Sequence, residues 1–144
     1  MNQPTDSNSD TQKIEAYTVS DYARMGTLPR HFGRHMMTFE GMVYDLMRQF
    51  SPQYGGGMWA YLELSNGSFY MTPPPDKSYR LTVHSNGYDG EMTADAAGIT
   101  VCLFAYSLLS FEYRGTDVFT RHFHRLRDFA LAHAESAQIF AAID

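Results

Sequence analysis

The sequence predicts an α+β fold, in which a small antiparallel β-meander of three to four strands packs against a buried central helix and about three further helices. Residues 96–111 form a run of sixteen residues without a charge. Two Asn-Gly dipeptides, at 66–67 and 86–87, each follow a segment with strand character and are typical of hairpin turns. The uncharged run is shorter than the roughly 20 residues that span a membrane and contains polar residues, so we expect a core helix and no membrane contact.

Length and composition favour one globular domain. The chain has 144 residues, of which 44% are hydrophobic, including ten Phe and ten Tyr. We expect a disordered polar tail at residues 1–13 and one domain at residues 14–144. The tail lacks the apolar segment of a signal peptide, which favours the cytoplasm. Cys102 is the only cysteine, so no disulfide forms within the chain and a buried thiol is expected.

The first third of the chain predicts an edge strand and two helical segments. Residues 14–19 suggest the edge strand, and Ser20 or Asp21 begins a short helical turn. Pro29 disfavours helix at Leu28, so a break is expected there. Residues 38–50 form an amphipathic helix with Thr38 as its N-cap. Its apolar face comprises Phe39, Met42, Val43, Leu46, Met47 and Phe50.

The middle of the chain predicts the meander. Strands are expected at residues 58–64, 68–72, 79–84 and 88–92, joined by the two Asn-Gly turns and by a loop at the three consecutive prolines 73–75. Alternation in the third strand places Tyr79, Leu81 and Val83 toward the core.

The last third predicts three helices. The buried helix runs over residues 94–113 and ends before Gly115. Thr116 caps a second helix at 117–132, and a short helix at 135–143 closes the domain. The inner face of the second helix is expected to comprise Phe119, Phe123, Leu126 and Ala130.

Three carboxylates precede the buried helix and are the first candidates for chemistry. Asp89 and Glu91 are two residues apart in a strand and therefore share a face, while Asp95 lies at the helix start. Convergence of the three would suit Mg²⁺ or Mn²⁺, which makes a small metal-dependent hydrolase or nuclease the alternative function. We favour the simpler interpretation, in which Asp95 stabilises the helix N-terminus and Asp89 belongs to the turn.

The other candidate groups give weaker signals. His31 and His35 have the spacing of two zinc ligands on one helix, but Gly33 lies between them and no third ligand is near in sequence. Two basic clusters suit phosphates or an acidic partner, although solvated helix faces explain them as well; they comprise Arg30, His31, Arg34 and His35, and Arg121, Arg125 and Arg127. Trp59 suits either an interface anchor or a core aromatic residue.

Several motifs, in this order and spacing, resemble the ArdB/KlcA antirestriction proteins over residues 25–144. The central motif runs from Asn86 to Ile99 and reads NGYDGEMTADAAGI. The others are LPRHFGR at 28–34, YGGGMW at 54–59, LSNGSFYM at 64–71, LRDF at 126–129 and AAID at 141–144. Ser68 replaces the second glycine that is usual in the family, and a serine still suits a residue just after a turn.

The resemblance implies a protein of plasmids and genomic islands that protects incoming DNA from type I restriction enzymes in the bacterial cytoplasm. It implies a non-enzymatic inhibitor without a cofactor, whose partner is the type I restriction-modification complex or an associated host DNA-processing factor. DNA mimicry is not expected, because 16 acidic against 11 basic residues give a net charge of only −5, and that sign allows weak nucleic-acid binding at most. The candidate interaction residues carried by the motifs are Arg30, Arg34, Trp59, Asp89, Glu91, Asp95 and Asp144.

Overall fold

The computed structural model describes residues 13–144, so the tail expected at residues 1–13 lies outside the described residues except for Lys13. The strands are β1 (Ala16–Thr18), β2 (Ala60–Leu64), β3 (Phe69–Thr72), β4 (Tyr79–Val83) and β5 (Tyr88–Met92). The helices are α1 (Arg24–Phe32), α2 (Met36–Phe50), α3 (Ala94–Glu112), α4 (Val118–Leu131) and α5 (Ser136–Ile143). Two 3-10 turns, Asp21–Ala23 and Gly33–His35, precede α1 and α2. The α+β class predicted from the sequence is confirmed.

Helix α3 is the centre of the fold, as predicted. It contacts β3, α2, α4 and α5, and most of its residues are buried. By length and composition it could cross a membrane, but 67% of its most apolar window is buried inside the domain. It therefore serves as a core helix that the other elements cover.

The strands form two separate sheets, which corrects the expectation of a single meander. One sheet has the order β1-β2-β3 and the other pairs β4 with β5, all antiparallel. The outer edge of β3 faces α3 instead of β4. There the Tyr106 hydroxyl donates a 2.6 Å hydrogen bond to the Phe69 carbonyl, and the Cys102 thiol lies 3.8 Å from the Met71 carbonyl. With that edge covered and three prolines following it, β4 pairs with β5 alone.

The break predicted at Pro29 is wrong, because α1 continues through it to Phe32. Leu28 and Phe32 are buried, and the apolar burial offsets the cost of the missing backbone donor. Helix α2 begins at Met36, so Thr38 is not its N-cap.

An aromatic cluster joins α1, α2, α3 and α4 in the core. The Phe32 ring stacks on Phe39 at 4.3 Å between centroids, and Phe39 stacks on Tyr106 at 4.9 Å. The Tyr106 ring also stacks on His122 at 5.1 Å, which places a histidine of α4 inside the cluster. Of the apolar residues expected on the inner face of α4, Phe123 is only partly buried; Phe119, Leu126 and Ala130 are buried.

Candidate functional surface

The outer side of the β4–β5 hairpin carries two of the candidate acids. Cross-strand register pairs Arg80 with Glu91 and Thr82 with Asp89. These four residues, which we call the hairpin face, point away from the core, because the alternate residues Tyr79, Leu81, Val83 and Met92 are buried. Asp89 and Glu91 therefore share one exposed side of the sheet, as their spacing predicted.

An ion pair neutralises one of the two acids. The Arg80 guanidinium donates from Nε and Nη2 to the two oxygens of Asp89, at 2.9 and 2.8 Å. Thr82 adds a hydrogen bond of 3.2 Å. The hydrogen bond from Arg80 is the main cause of a lowered pKa at Asp89, and the same bond raises the pKa of Arg80. Within residues 13–144 the Glu91 carboxylate lies in no salt bridge, so the hairpin face keeps one uncompensated negative charge.

Asp95 lies apart from the hairpin face and connects three elements. One carboxylate oxygen accepts a 2.8 Å hydrogen bond from the Tyr70 hydroxyl of β3, and the other lies 2.7 Å from His133 Nε2 in the α4–α5 connection. The backbone N–H of Glu135 donates to His133 Nδ1 at 2.9 Å, so Nε2 carries the proton that Asp95 accepts. Burial and the neighbouring Asp95 charge raise the pKa of Tyr70, which keeps its hydroxyl a donor. Asp95 of α3 is thus linked by hydrogen bonds to β3 and to the α4–α5 connection.

The start of α3 is capped by a second set of contacts beside Asp95. The Thr93 hydroxyl accepts a 3.2 Å hydrogen bond from the Ala96 N–H. Glu135 in turn accepts from the Thr93 N–H at 3.0 Å and from the Thr93 hydroxyl. The carboxylate that faces the first turn of α3 from the α5 side is therefore Glu135, and no local pattern in the sequence indicates this contact.

The geometry gives no support to metal binding by the three acids. Asp89 is bound to Arg80, and Asp95 to Tyr70 and His133. In the described part of the chain, no group of three or more His, Cys, Asp or Glu is arranged to hold a metal ion. The two histidines also separate: His31 Nε2 lies 2.7 Å from Glu63, whereas the His35 ring packs on Tyr113 at 4.7 Å.

The remaining candidate residues lie in different surroundings. Arg30 forms a 2.7 Å ion pair with Glu63, and Arg34 lines a cavity near the end of α3. Asp144 lines a small cavity of about 160 Å³ together with Phe104 and Phe123. No hydrogen bond or ion pair within residues 13–144 joins any two of the seven candidates. The structure therefore does not gather them into one site.

Trp59 requires a correction, because its side chain is not available as an interface anchor. It is 2% exposed, and its indole N–H donates a 2.7 Å hydrogen bond to the Tyr54 hydroxyl. The Tyr44 ring lies edge-on to it at 5.4 Å. Trp59 is a core residue whose polar atom is satisfied internally.

Sequence reasoning missed a buried polar pair between the turn before β3 and α4. The Ser68 hydroxyl lies 2.9 Å from His122 Nδ1 and donates a 3.2 Å hydrogen bond to the His122 carbonyl. Burial, and then the nearby His31, lowers the pKa of His122 to about 3, so the ring is neutral. The signal was present in the sequence, since positions 119, 122, 126 and 130 follow a helical period and place His122 on the inner face.

Comparisons with known proteins agree over nearly the whole chain. A sequence model of the family described as "Antirestriction protein" matches residues 52–144. Two KlcA antirestriction proteins of Escherichia coli are 40% and 42% identical to this chain, covering 95% and 91% of it and 99% and 94% of their own lengths. The putative antirestriction protein YubI of E. coli K12 is 33% identical over 88% of this chain and 93% of its own length.

A solved structure has the same fold. It comes from work on the KlcA and ArdB proteins, which are described as showing a novel fold and antirestriction activity against type I DNA restriction systems in vivo but not in vitro. It is 42% identical to this chain, with a TM-score of 0.85, and the match covers 92% of this chain and 96% of that one. By sequence and by fold, this chain belongs to the antirestriction protein family.

Proposed function

We propose that this protein protects incoming mobile DNA by inhibiting type I restriction in the cytoplasm, non-catalytically and through its surface. The observation that carries the proposal is the likeness to KlcA and ArdB, whose activity is described against type I systems in vivo. Those proteins are inactive in vitro, which favours a target that includes an associated host DNA-processing factor besides the type I complex itself. We treat residues 14–144 as the single functional domain.

The distribution of charge argues against DNA mimicry. Four acids are each held by an arginine, in the pairs Asp45–Arg48, Glu63–Arg30, Asp89–Arg80 and Asp117–Arg121. A mimic of B-DNA needs a continuous array approaching one negative charge per about 1.7 Å of axis. Acids whose charge is neutralised by a paired arginine cannot reproduce such an array. The partner is therefore expected to recognise the shape of the inhibitor and its local polar contacts.

The buried nucleophiles support a non-catalytic role. Cys102 is fully buried, and burial raises the pKa of its thiol to about 12, which leaves almost no thiolate at neutral pH. The Ser68 hydroxyl is also fully buried, against a neutral histidine. Neither group can reach a substrate in the folded protein.

The hairpin face is the surface that we propose for the partner, with Asp89 and Glu91 as its acids. Its other side belongs to the core, and its two acids are exposed. Asp95 is proposed to act through the contacts that hold the start of α3. Arg30, Arg34 and Asp144 remain proposed contacts elsewhere on the surface.

The test is the transfer of unmodified DNA into cells that carry a type I restriction system. Expression of this protein should restore the efficiency of transfer toward the value measured without restriction. Expression in cells that carry a type II enzyme should give no such protection. Absence of protection against type I restriction, at a level where the folded protein is detected, would contradict the proposal.

A second measurement addresses the non-catalytic part. We expect calorimetric titration with Mg²⁺ or Mn²⁺ to give no heat of binding at millimolar metal, because Asp89 and Asp95 are engaged with other groups. Saturable binding that is lost in a variant carrying Asp89→Asn and Asp95→Asn would instead favour a metal-dependent hydrolase or nuclease.

A further inference from the structure

A cavity between the end of α3 and the turn before α2 brings two arginines together. Its volume is about 310 Å³, and Arg34 and Arg114 line it from opposite parts of the sequence. The rest of the wall comprises His35, Glu112, Tyr113, Gly115 and Thr116. We call it the two-arginine cavity; none of the contacts described for the hairpin face reaches it.

The fold positions Arg34 through its neighbours. Gly33 has a φ of +53°, a conformation that favours glycine, and it ends α1 by donating its N–H to the Pro29 carbonyl. The next turn holds the His35 ring 4.7 Å from Tyr113 and 5.8 Å from Phe119. Because His35 is fixed between these rings, the preceding Arg34 is held beside the end of α3.

The charges of the two arginines are not compensated by ion pairs. Arg30, Arg48, Arg80 and Arg121 each have a carboxylate partner. In the described range 13–144, neither Arg34 nor Arg114 has a carboxylate oxygen within 4.0 Å. The Arg114 Nε donates to the Phe111 carbonyl at 3.2 Å, which orients the guanidinium and leaves its terminal nitrogens available.

A neighbouring cavity extends the same polar wall. Its volume is about 610 Å³, and it shares Arg114, Gly115 and Thr116 with the two-arginine cavity. It adds the side chains of Ser110 and Thr120, while its one acid, Asp117, is paired with Arg121. Among residues 13–144, Glu112 is the only carboxylate that lines the two-arginine cavity itself.

We propose that the two-arginine cavity binds a phosphate group, either free phosphate or a phosphate of single-stranded nucleic acid. Guanidinium groups bind phosphate through paired hydrogen bonds, and two arginines in the lining of one cavity provide the positive charge that a phosphate needs. The Tyr113 ring in the wall suits a nucleotide base that follows the phosphate. The site lies apart from the hairpin face and shares only Arg34 with the proposed partner contacts, so phosphate binding can fail while protection through the hairpin face holds, and the reverse.

The test is an NMR titration of the full chain with inorganic phosphate and, separately, with a short single-stranded oligothymidylate. We expect the side-chain Nε–H signals of Arg34 and Arg114 to shift with either or both ligands, with an affinity that falls as salt rises. Arg34→Gln and Arg114→Gln should each weaken binding about tenfold, the loss expected for one charge-assisted contact. The matched control is Arg48→Gln, which removes an exposed arginine of α2 and should leave the affinity unchanged.

A substitution that strengthens phosphate binding distinguishes a specific site from a loss of binding caused by misfolding. Glu112→Gln removes a negative charge from the wall of the cavity and should tighten phosphate binding several-fold. A shift with phosphate alone assigns a free-phosphate site, and a shift with the oligonucleotide alone assigns the nucleic-acid backbone. Three results would overturn the proposal: no shift with either ligand, equal affinity in Arg34→Gln, or equal binding of polyglutamate, which would indicate an acidic protein partner instead.

Discussion

Gly98 of α3 lies directly against the backbone of Met71 in β3. A Cβ atom placed on Gly98 would come within 2.3 Å of the Met71 carbonyl oxygen and within 2.8 Å of Thr72 Cα. Both obstacles are backbone atoms, which a change of side-chain rotamer cannot move. Helix α3 and strand β3 therefore approach each other so closely that only glycine fits at position 98. The neighbouring small residues Ala94, Ala96 and Ala97 are also buried.

Gly98→Ala should destabilise the domain strongly. The added methyl group forces α3 away from β3, and overpacking of this kind costs roughly 3 kcal/mol. The measurement is the free energy of unfolding in urea. Gly41→Ala in α2 is the matched control, since nothing lies within 4 Å of its Cβ position and the helix should gain about 0.5–1 kcal/mol. Equal stabilities for Gly98→Ala and the natural protein would show that α3 and β3 do not pack this closely.

His122 should make the domain sensitive to acid. Its pKa is lowered from 6.5 to about 3 in the folded protein, mainly by burial. Between these values the unfolded chain binds a proton that the folded chain does not, so stability is full above about pH 6.5 and falls as pH decreases, by up to about 1.4 kcal/mol per pH unit.

Urea unfolding at pH 7 and at pH 5 measures this dependence. His122→Gln should show a shallower decrease than the natural protein. His124→Gln, which changes an exposed histidine two residues along the same helix, should retain the full decrease. If His122→Gln keeps the natural slope, the acid sensitivity comes from other groups.

Cys102 should be unreactive in the folded protein. Its thiol is fully buried, so a reagent cannot reach the sulfur. Burial also raises the pKa of the thiol to about 12, so almost no reactive thiolate is present at neutral pH. Ellman's reagent at pH 8 should therefore label the thiol rapidly in denaturant and only through unfolding in native buffer. Native labelling at the rate of a free thiol would mean that α3 is not the buried centre of the fold.

Each of the two Asn-Gly turns should stabilise the docking of one helix through a hydrogen bond from its asparagine side chain. The Asn86 side chain accepts from the Tyr88 N–H and donates a 2.7 Å hydrogen bond to the Ala142 carbonyl near the end of α5. Asn66 does the same one hairpin earlier, donating at 3.0 Å to the Arg125 carbonyl of α4. We expect Asn86→Ala to cost about 1 kcal/mol and to increase amide exchange in α5.

Each of these asparagines serves as the control for the other. Asn66→Ala should increase exchange in α4 and leave α5 close to the natural protein, while Asn86→Ala should do the opposite. If either variant increases amide exchange equally in α4 and α5, the docking of each helix does not depend on its own turn.

The parts of the fold that local patterns determine could be predicted from the sequence. Strand β5 has the predicted bounds, and Tyr79, Leu81 and Val83 face the core as their alternation indicated. The buried helix could be recognised because a run of uncharged residues is visible in the local sequence, without knowledge of the elements that pack on it. The shared face of Asp89 and Glu91 followed from the two-residue period of a strand.

The parts that depend on contacts distant in sequence could not be predicted. The division into two sheets depends on the hydroxyl of Tyr106 covering β3, 37 residues away. The role of Asp95 depends on His133, 38 residues further along the chain. The helix through Pro29 is stabilised by burial of Phe32, which a propensity rule for proline does not include.

The most direct test of inhibition through the hairpin face is the transfer of unmodified DNA into type I-restricting cells that express a variant with Asp89→Ala and Glu91→Ala. Both residues are exposed on the hairpin face, so the melting temperature should stay near that of the natural protein. The matched control, Asp45→Ala with Arg48→Ala, removes an exposed ion pair from α2 and should retain protection. We predict that the hairpin variant is folded and loses protection; a folded hairpin variant that protects fully would show that the hairpin face is not the inhibitory surface.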